Sequence, residues 1–216
     1  MIKELLGLNK NKKLESWQGY RLDIKNVTSY IKDAYNTSTV TGVAAKTISN
    51  IQPLLQANYG GEGDCTLTSI TTILRYYLKY TKPIQEVYDI VEDYAEKFFY
   101  SGDYGTIPIF IQAIINRAAA KVGLNADSFS KNFKEVGVTW DRIKKLIQGN
   151  RPVILSLSDD GREYYASHSI TIIGYNEYKI DNNKIVRMLK VYDNWRETIG
   201  FVDFEKLGRA CCINYF

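Results

Sequence analysis

Cys65 ends the loop "YGGEGD" (59–64) and opens a run in which Leu67, Ile70, Thr71, Leu74, Tyr77 and Leu78 recur at helical spacing. A cysteine there stands at a helix N-terminus, with Asp64 as a suitable N-cap. The partial positive charge and free N–H groups of that terminus favour a thiolate and lower the thiol pKa. Such a nucleophile needs a base, and the base needs an orienting group. The chain has one histidine, His168, at the start of "SHSITIIGYNEY", where alternation puts it on the strand face of Ile170, Ile172 and Gly174. The next β-rich run ends in "KVYDNW", and a turn at "DNN" (181–183) folds the two runs into an antiparallel pair. That pairing returns Asp193 toward His168, 25 residues before it in the chain. Asn194 ranks second as orienter because its side chain faces the opposite side of the strand. Singly, each residue has a plainer reading: a structural histidine, a turn-forming acid. Together they point to acyl transfer through a Cys-His-Asp triad.

The elements that must position these groups change character along the chain. "NVTSYIKDAYNT" reads as a helix capped by Asn26, within a polar N-terminal extension over residues 1–45, and "KTISNIQPLLQ" as a short extended segment before the glycine loop. Beyond the Cys65 helix, a second helix has Pro83 in its first turn, a third runs from near Thr106 and Pro108 to about Lys121, and a fourth starts at Thr139 and stops at Gly149. "RPVILSLS", "SHSITIIGYNEY", "KIVRMLKVYD", "GFVDF" and "ACCINYF" then read as strands. Helices first and strands last predict an α+β fold, with residues 46–216 as the main domain. The extension 1–45 belongs to that domain or covers its cleft.

These motifs, in this order, resemble the papain-like cysteine peptidases, and within them the bacterial peptidases related to the bacteriocin leader-processing type. The resemblance rests on Gln56, then "CTLTS" at 65–69, then "WDRIKKLIQGNRPVILSLS", "HSITIIGY" at 168–175 and "VYDNW", and covers about residues 48–204. It implies a papain-like fold, with the cysteine helix packed on a C-terminal antiparallel sheet, and hydrolysis of a peptide or protein substrate through a thioester. Cys65 is then the nucleophile, His168 the base and Asp193 the orienter. Gln56 and the Cys65 N–H are the oxyanion donors, with Asn58 as the alternative side-chain donor, and Trp195 is the shield over the His–Asp contact. Thr66 and Leu67 stand where the family more often has Gly-Pro. Asp64 carries a charge beside the nucleophile, and a carboxylate aimed at the sulfur would raise the thiolate pKa. Two rivals share these residues: a transglutaminase-like or acyltransferase enzyme with the same triad, and a catalytically silent peptide-binding domain.

Composition narrows the partners. The net charge of +4 is dispersed over 28 basic and 24 acidic residues, which disfavours nucleic acid. The longest apolar runs fall short of the roughly 20 residues of a membrane span. With no signal peptide visible, the protein is expected in the cytoplasm unless a leader has been removed. Cys211 and Cys212 read as packing residues of the last strand. A metal site from Cys65, His168 and Asp193 lacks the close ligand pairs zinc favours, so no metal or cofactor is expected.

Overall fold

Short β-branched and aromatic runs dominate the C-terminal half, and in the computed structural model they hydrogen-bond into one antiparallel sheet against which the helices of the N-terminal half pack. The structure describes residues 27–61, 63–102, 105–125, 135–136, 139–157, 168–207 and 211–216. Within them the helices are α1 (Val27–Tyr35), α2 (Cys65–Tyr77), α3 (Ile84–Glu96), α4 (Ile111–Lys121) and α5 (Trp140–Gln148). The strands are β1 (Val40–Thr47), β2 (Glu135–Val136), β3 (Val153–Leu157), β4 (His168–Ile180), β5 (Ile185–Tyr192), β6 (Gly200–Asp203) and β7 (Cys211–Tyr215). The sheet order is β2-β7-β3-β4-β5-β6, with β1 also paired to β4. This is the α+β arrangement expected from the order of periodicities. The expected Asn26 cap lies outside the described residues.

Strand β4 is the spine. It pairs with β5 from Thr171 to Lys179 on one edge, while β3 takes the other edge of its first half and β1 that of its second. Strand β1 draws residues 40–45 of the N-terminal extension into the sheet, beside β4. Half of its residues are exposed, so its apolar alternation is weak in sequence, and main-chain pairing with β4 holds it together with the packing of Val40 and Ala44. Helix α1 packs where β1, β4 and β5 end. There Ile31 meets Ile180, Val186 and Met188, and the Tyr30 and Tyr35 hydroxyls donate to the Asp203 carboxylate at 2.9 and 2.8 Å. That end of β4 is 12 residues, or about 40 Å of extended strand, from His168.

Alternation along β3 feeds two cores. Val153, Leu155 and Leu157 join Trp140, Ile143 and Ile147 of α5, whereas Ile154 joins Leu67, Ile70, Ile73 and Leu74 of α2 with the apolar faces of α3 and α4. Each fully buried Ile or Leu of this kind contributes about 1.5–3 kcal/mol. Helix α2, buried from Cys65 to Arg75, is thus held between sheet and helices, which fixes where its first residue lies.

Gly174 opposes Thr47 on β1, and a Cβ there would stand 2.5 Å from the Lys46 carbonyl oxygen and 3.1 Å from the Thr47 Cα. Gly174→Val should therefore push β1 off the spine and cost roughly 1–3 kcal/mol. Urea denaturation measures the loss, and hydrogen exchange should show it concentrated in the β1 amides.

Candidate active site

The first turn of α2 is closed by main chain: the Asp64 carbonyl accepts from the Thr68 N–H and the Thr68 hydroxyl, both at 2.9 Å. Its polar side faces the start of β4. Thr66 Oγ1 lies 2.9 Å from Ser169 Oγ, which is 3.0 Å from Ser156 Oγ on β3. The Ser169 N–H donates to Cys65 Sγ at 3.4 Å, which places the sulfur one residue from His168.

The β4–β5 register brings up the third component. Thr171 pairs with Tyr192, so continuing past Tyr192 sets Trp195 across from His168. The Trp195 ring stacks on the imidazole at 3.9 Å between centroids and 16° between planes. His168 Nε2 lies 2.9 Å from the Asp193 main-chain carbonyl oxygen. A carbonyl can only accept, so Nε2 carries the proton and the lone pair of the neutral ring belongs to Nδ1. Asp193 Oδ1 meanwhile accepts from the Trp195 and Arg196 N–H groups at 3.0 and 3.1 Å, shaping the turn that presents this carbonyl. Sequence reasoning brings Asp193 to the ring through its carboxylate; the contact described here is made by its main chain.

Burial sets the electrostatics. It raises the Cys65 thiol above its ordinary pKa, and the hydrogen bonds from Ser169 and Thr66 offset this only in part. Burial thus works against the lowering expected of a helix terminus. Burial likewise drives His168 down to about 3, against the upward pull of the Asp193 carbonyl. Burial thus favours the neutral form of both groups.

Gln56 lies in the same neighbourhood. Its N–H donates to the Asn194 carbonyl at 2.8 Å and its Nε2 to the Gly61 carbonyl at 2.6 Å. It is buried, whereas Asn58, the alternative donor, is exposed. Asp64 departs from its expected role: its side chain makes no cap bond and accepts instead from the Gly61 N–H and the Tyr100 hydroxyl. Cys212 is buried in β7 as a packing residue, and the Cys211 side chain lies outside what is described.

Asn194 is the residue whose weight sequence reasoning missed. Its Nδ2 sits 2.9 Å from the Cys65 carbonyl, 2.9 Å from Ser69 Oγ and 2.8 Å from the Ser169 carbonyl, tying α2 and β4 to the turn after β5. Its φ of 66° lies in the left-handed region, which asparagine tolerates better than most residues. A period-2 reading places its side chain opposite Asp193, and the Asp-Asn pair at a strand end was the available signal.

Residues 48–206 match the Peptidase_C39 like family. Among solved structures, a protein of Bacillus anthracis assigned to the C39-like peptidases is 15% identical, with a TM-score of 0.48 over 81% of this chain and 98% of that one. Among curated proteins none matches.

Asn194→Ala removes the side-chain donor shared by the Cys65 and Ser169 carbonyls and Ser69 Oγ, and should cost about 1–3 kcal/mol in urea denaturation. His168 gives a pH signature. Its folded pKa, about 3, lies below the ordinary value of 6.5, so on acidification the unfolded chain takes up the proton first. The stability it contributes is complete above pH 6.5 and is lost at up to about 1.4 kcal/mol per pH unit as pH falls toward 3. The slope of unfolding free energy against pH should be shallower in His168→Gln over that window, whatever that variant's stability at pH 7.

Proposed function

The chain belongs to the Peptidase_C39 like family of papain-like cysteine peptidases, and we propose that it hydrolyses peptide bonds with Cys65 as nucleophile, His168 as base, Asp193 as orienter and Gln56 as oxyanion donor. The observation that carries this reading is the convergence of four chain segments: the Cys65 sulfur on the Ser169 N–H, His168 Nε2 on the Asp193 carbonyl, and Gln56 anchored to Asn194.

In this mechanism the Cys65 proton passes to His168 Nδ1 as the sulfur attacks the substrate carbonyl, so charge develops only when the substrate carbonyl can take it up. The oxyanion meets the Cys65 N–H and a Gln56 amide hydrogen, each worth about 3 kcal/mol in comparable sites. Collapse breaks the C–N bond, the Nδ1 proton goes to the leaving amine, and a thioester remains. Water, deprotonated by Nδ1, then releases the carboxylic acid and restores the thiol. The Asp193 carbonyl holds the Nε2–H throughout, and Trp195 covers one ring face. The Asp64 charge does not oppose the thiolate, because its carboxylate is turned to Gly61 and Tyr100.

An activated ester such as p-nitrophenyl acetate should acylate Cys65 and spare Cys211 and Cys212 on peptide mapping. His168→Ala should slow this about 100-fold or more. An unmodified Cys65 in folded protein defeats the proposal. A thioester resolved by added amine in preference to water would move the chain to the acyltransferase reading.

A further inference from the structure

We propose that the hydroxyls of Thr66 and Ser169 are catalytic groups of the same reaction, donating to the Cys65 sulfur as it takes on negative charge. This rests on the role of nucleophile proposed for Cys65 above, and adds the groups that hold its charged form. Thr66 follows the nucleophile on α2, and Ser169 follows His168 on β4. The Ser169 N–H already donates to Cys65 Sγ at 3.4 Å. Thr66 Oγ1 and Ser169 Oγ lie 2.9 Å apart, and Ser156 Oγ on β3 lies 3.0 Å from Ser169 Oγ. All three residues are buried. Proton counting fixes what this row can do. Each hydroxyl carries one hydrogen, so three hydroxyls joined by two hydrogen bonds leave one hydrogen over. The Thr66 and Ser169 side chains both act on the sulfur, which gives that hydrogen its acceptor. It comes from Thr66 when Ser156 donates to Ser169 and Ser169 to Thr66, and from Ser169 when both neighbours donate to it. Both internal bonds are kept in either case.

A neutral thiol is a weak acceptor, and a donor facing it gains little. Once its proton has left, the acceptor is an anion and the same bond is about twice as strong. Donors that strengthen as charge develops lower the barrier more than they lower the ground state. Burial sets the need, since it is the largest influence on the Cys65 thiol and raises it. Of the titratable groups nearby, His168 is favoured neutral by its own burial. The Asp193 carboxylate is turned to the Trp195 and Arg196 N–H groups, and that of Asp64 to Gly61 and Tyr100. The groups that draw the thiol back down are the N–H and hydroxyl of Ser169 and of Thr66. They serve twice in the cycle, when the sulfur attacks the substrate and when it leaves the thioester.

The test is the pH dependence of Cys65 alkylation by iodoacetamide, followed by peptide mapping so that Cys211 and Cys212 are read separately. In the double variant Thr66→Val with Ser169→Ala, the midpoint should rise by about one pH unit, the effect of one lost hydrogen bond to a charged group. A thiolate of higher pKa is the stronger nucleophile, so the plateau rate should rise about threefold while the rate at pH 7 falls about threefold. Each single variant should raise the midpoint by a smaller amount, the two together falling short of the double, because the remaining hydroxyl supplies the hydrogen. Thr66→Ser keeps the hydroxyl and should hold the wild-type midpoint. Loosened packing has the opposite sign, since water admitted to the sulfur relieves its desolvation and lowers the midpoint. A midpoint that falls or stays in the double variant overturns the proposal. Where the double variant does not fold, a fall or no change in both single variants overturns it, as does Thr66→Ser shifting like Thr66→Val. Wild-type Cys65 left unmodified by p-nitrophenyl acetate overturns the nucleophile assignment itself, and this inference with it.

Discussion

A single carboxamide nitrogen holds the arrangement together. Asn194 Nδ2 reaches the carbonyl that begins α2, a hydroxyl one turn along that helix and the carbonyl of the second residue of β4. Each of these acceptors is buried, where polar groups are held by hydrogen bonds within the protein. Meeting all three from one group forces the helix end, the strand start and the turn after β5 to a common point. The distances among Cys65, His168 and Asp193 follow from that convergence. Because the Asn194 side chain turns inward toward α2 and β4, the adjacent Asp193 peptide presents its carbonyl to His168.

Enclosure has a chemical result as well as a structural one. A thiol and an imidazole both denied solvent rest as neutral partners, the sulfur pushed up and the ring pushed down. Helix-terminus hydrogen bonds act in the opposite sense and are outweighed. Uncharged groups cost less to bury, so burial of this pair is compatible with a stable fold. In the proposed mechanism charge separation belongs to the encounter with substrate.

Most of the scaffold was legible because periodicity is a local property. The Leu67, Ile70 and Leu74 spacing gave α2, and the β-rich runs gave β3 to β7 with their "DNN" turn. Where the signal was non-local, reading failed. Strand β1 carries only a weak apolar pattern, and its partners on β4 lie 127 to 140 residues later. The direction of the Cys65 shift depends on how completely other elements cover it. Gln56 and Asp64 could be singled out by type and spacing, yet the hydrogen bonds that orient them run to Gly61 and Tyr100. Side-chain direction at a loop–helix junction is decided by those partners, and no window of sequence contains them all.

The order of synthesis adds a consequence. Ser169 and Asn194, which hold the sulfur's environment, follow Cys65 by 104 and 129 positions. The α1 tyrosines meet Asp203 at a separation of up to 173. A chain emerging N-terminus first therefore carries its thiol through 103 further residues of synthesis before its imidazole exists. Contacts this distant close late and slowly. The topology itself acts as a timer, withholding the assembled site until the turn after β5 has left the ribosome.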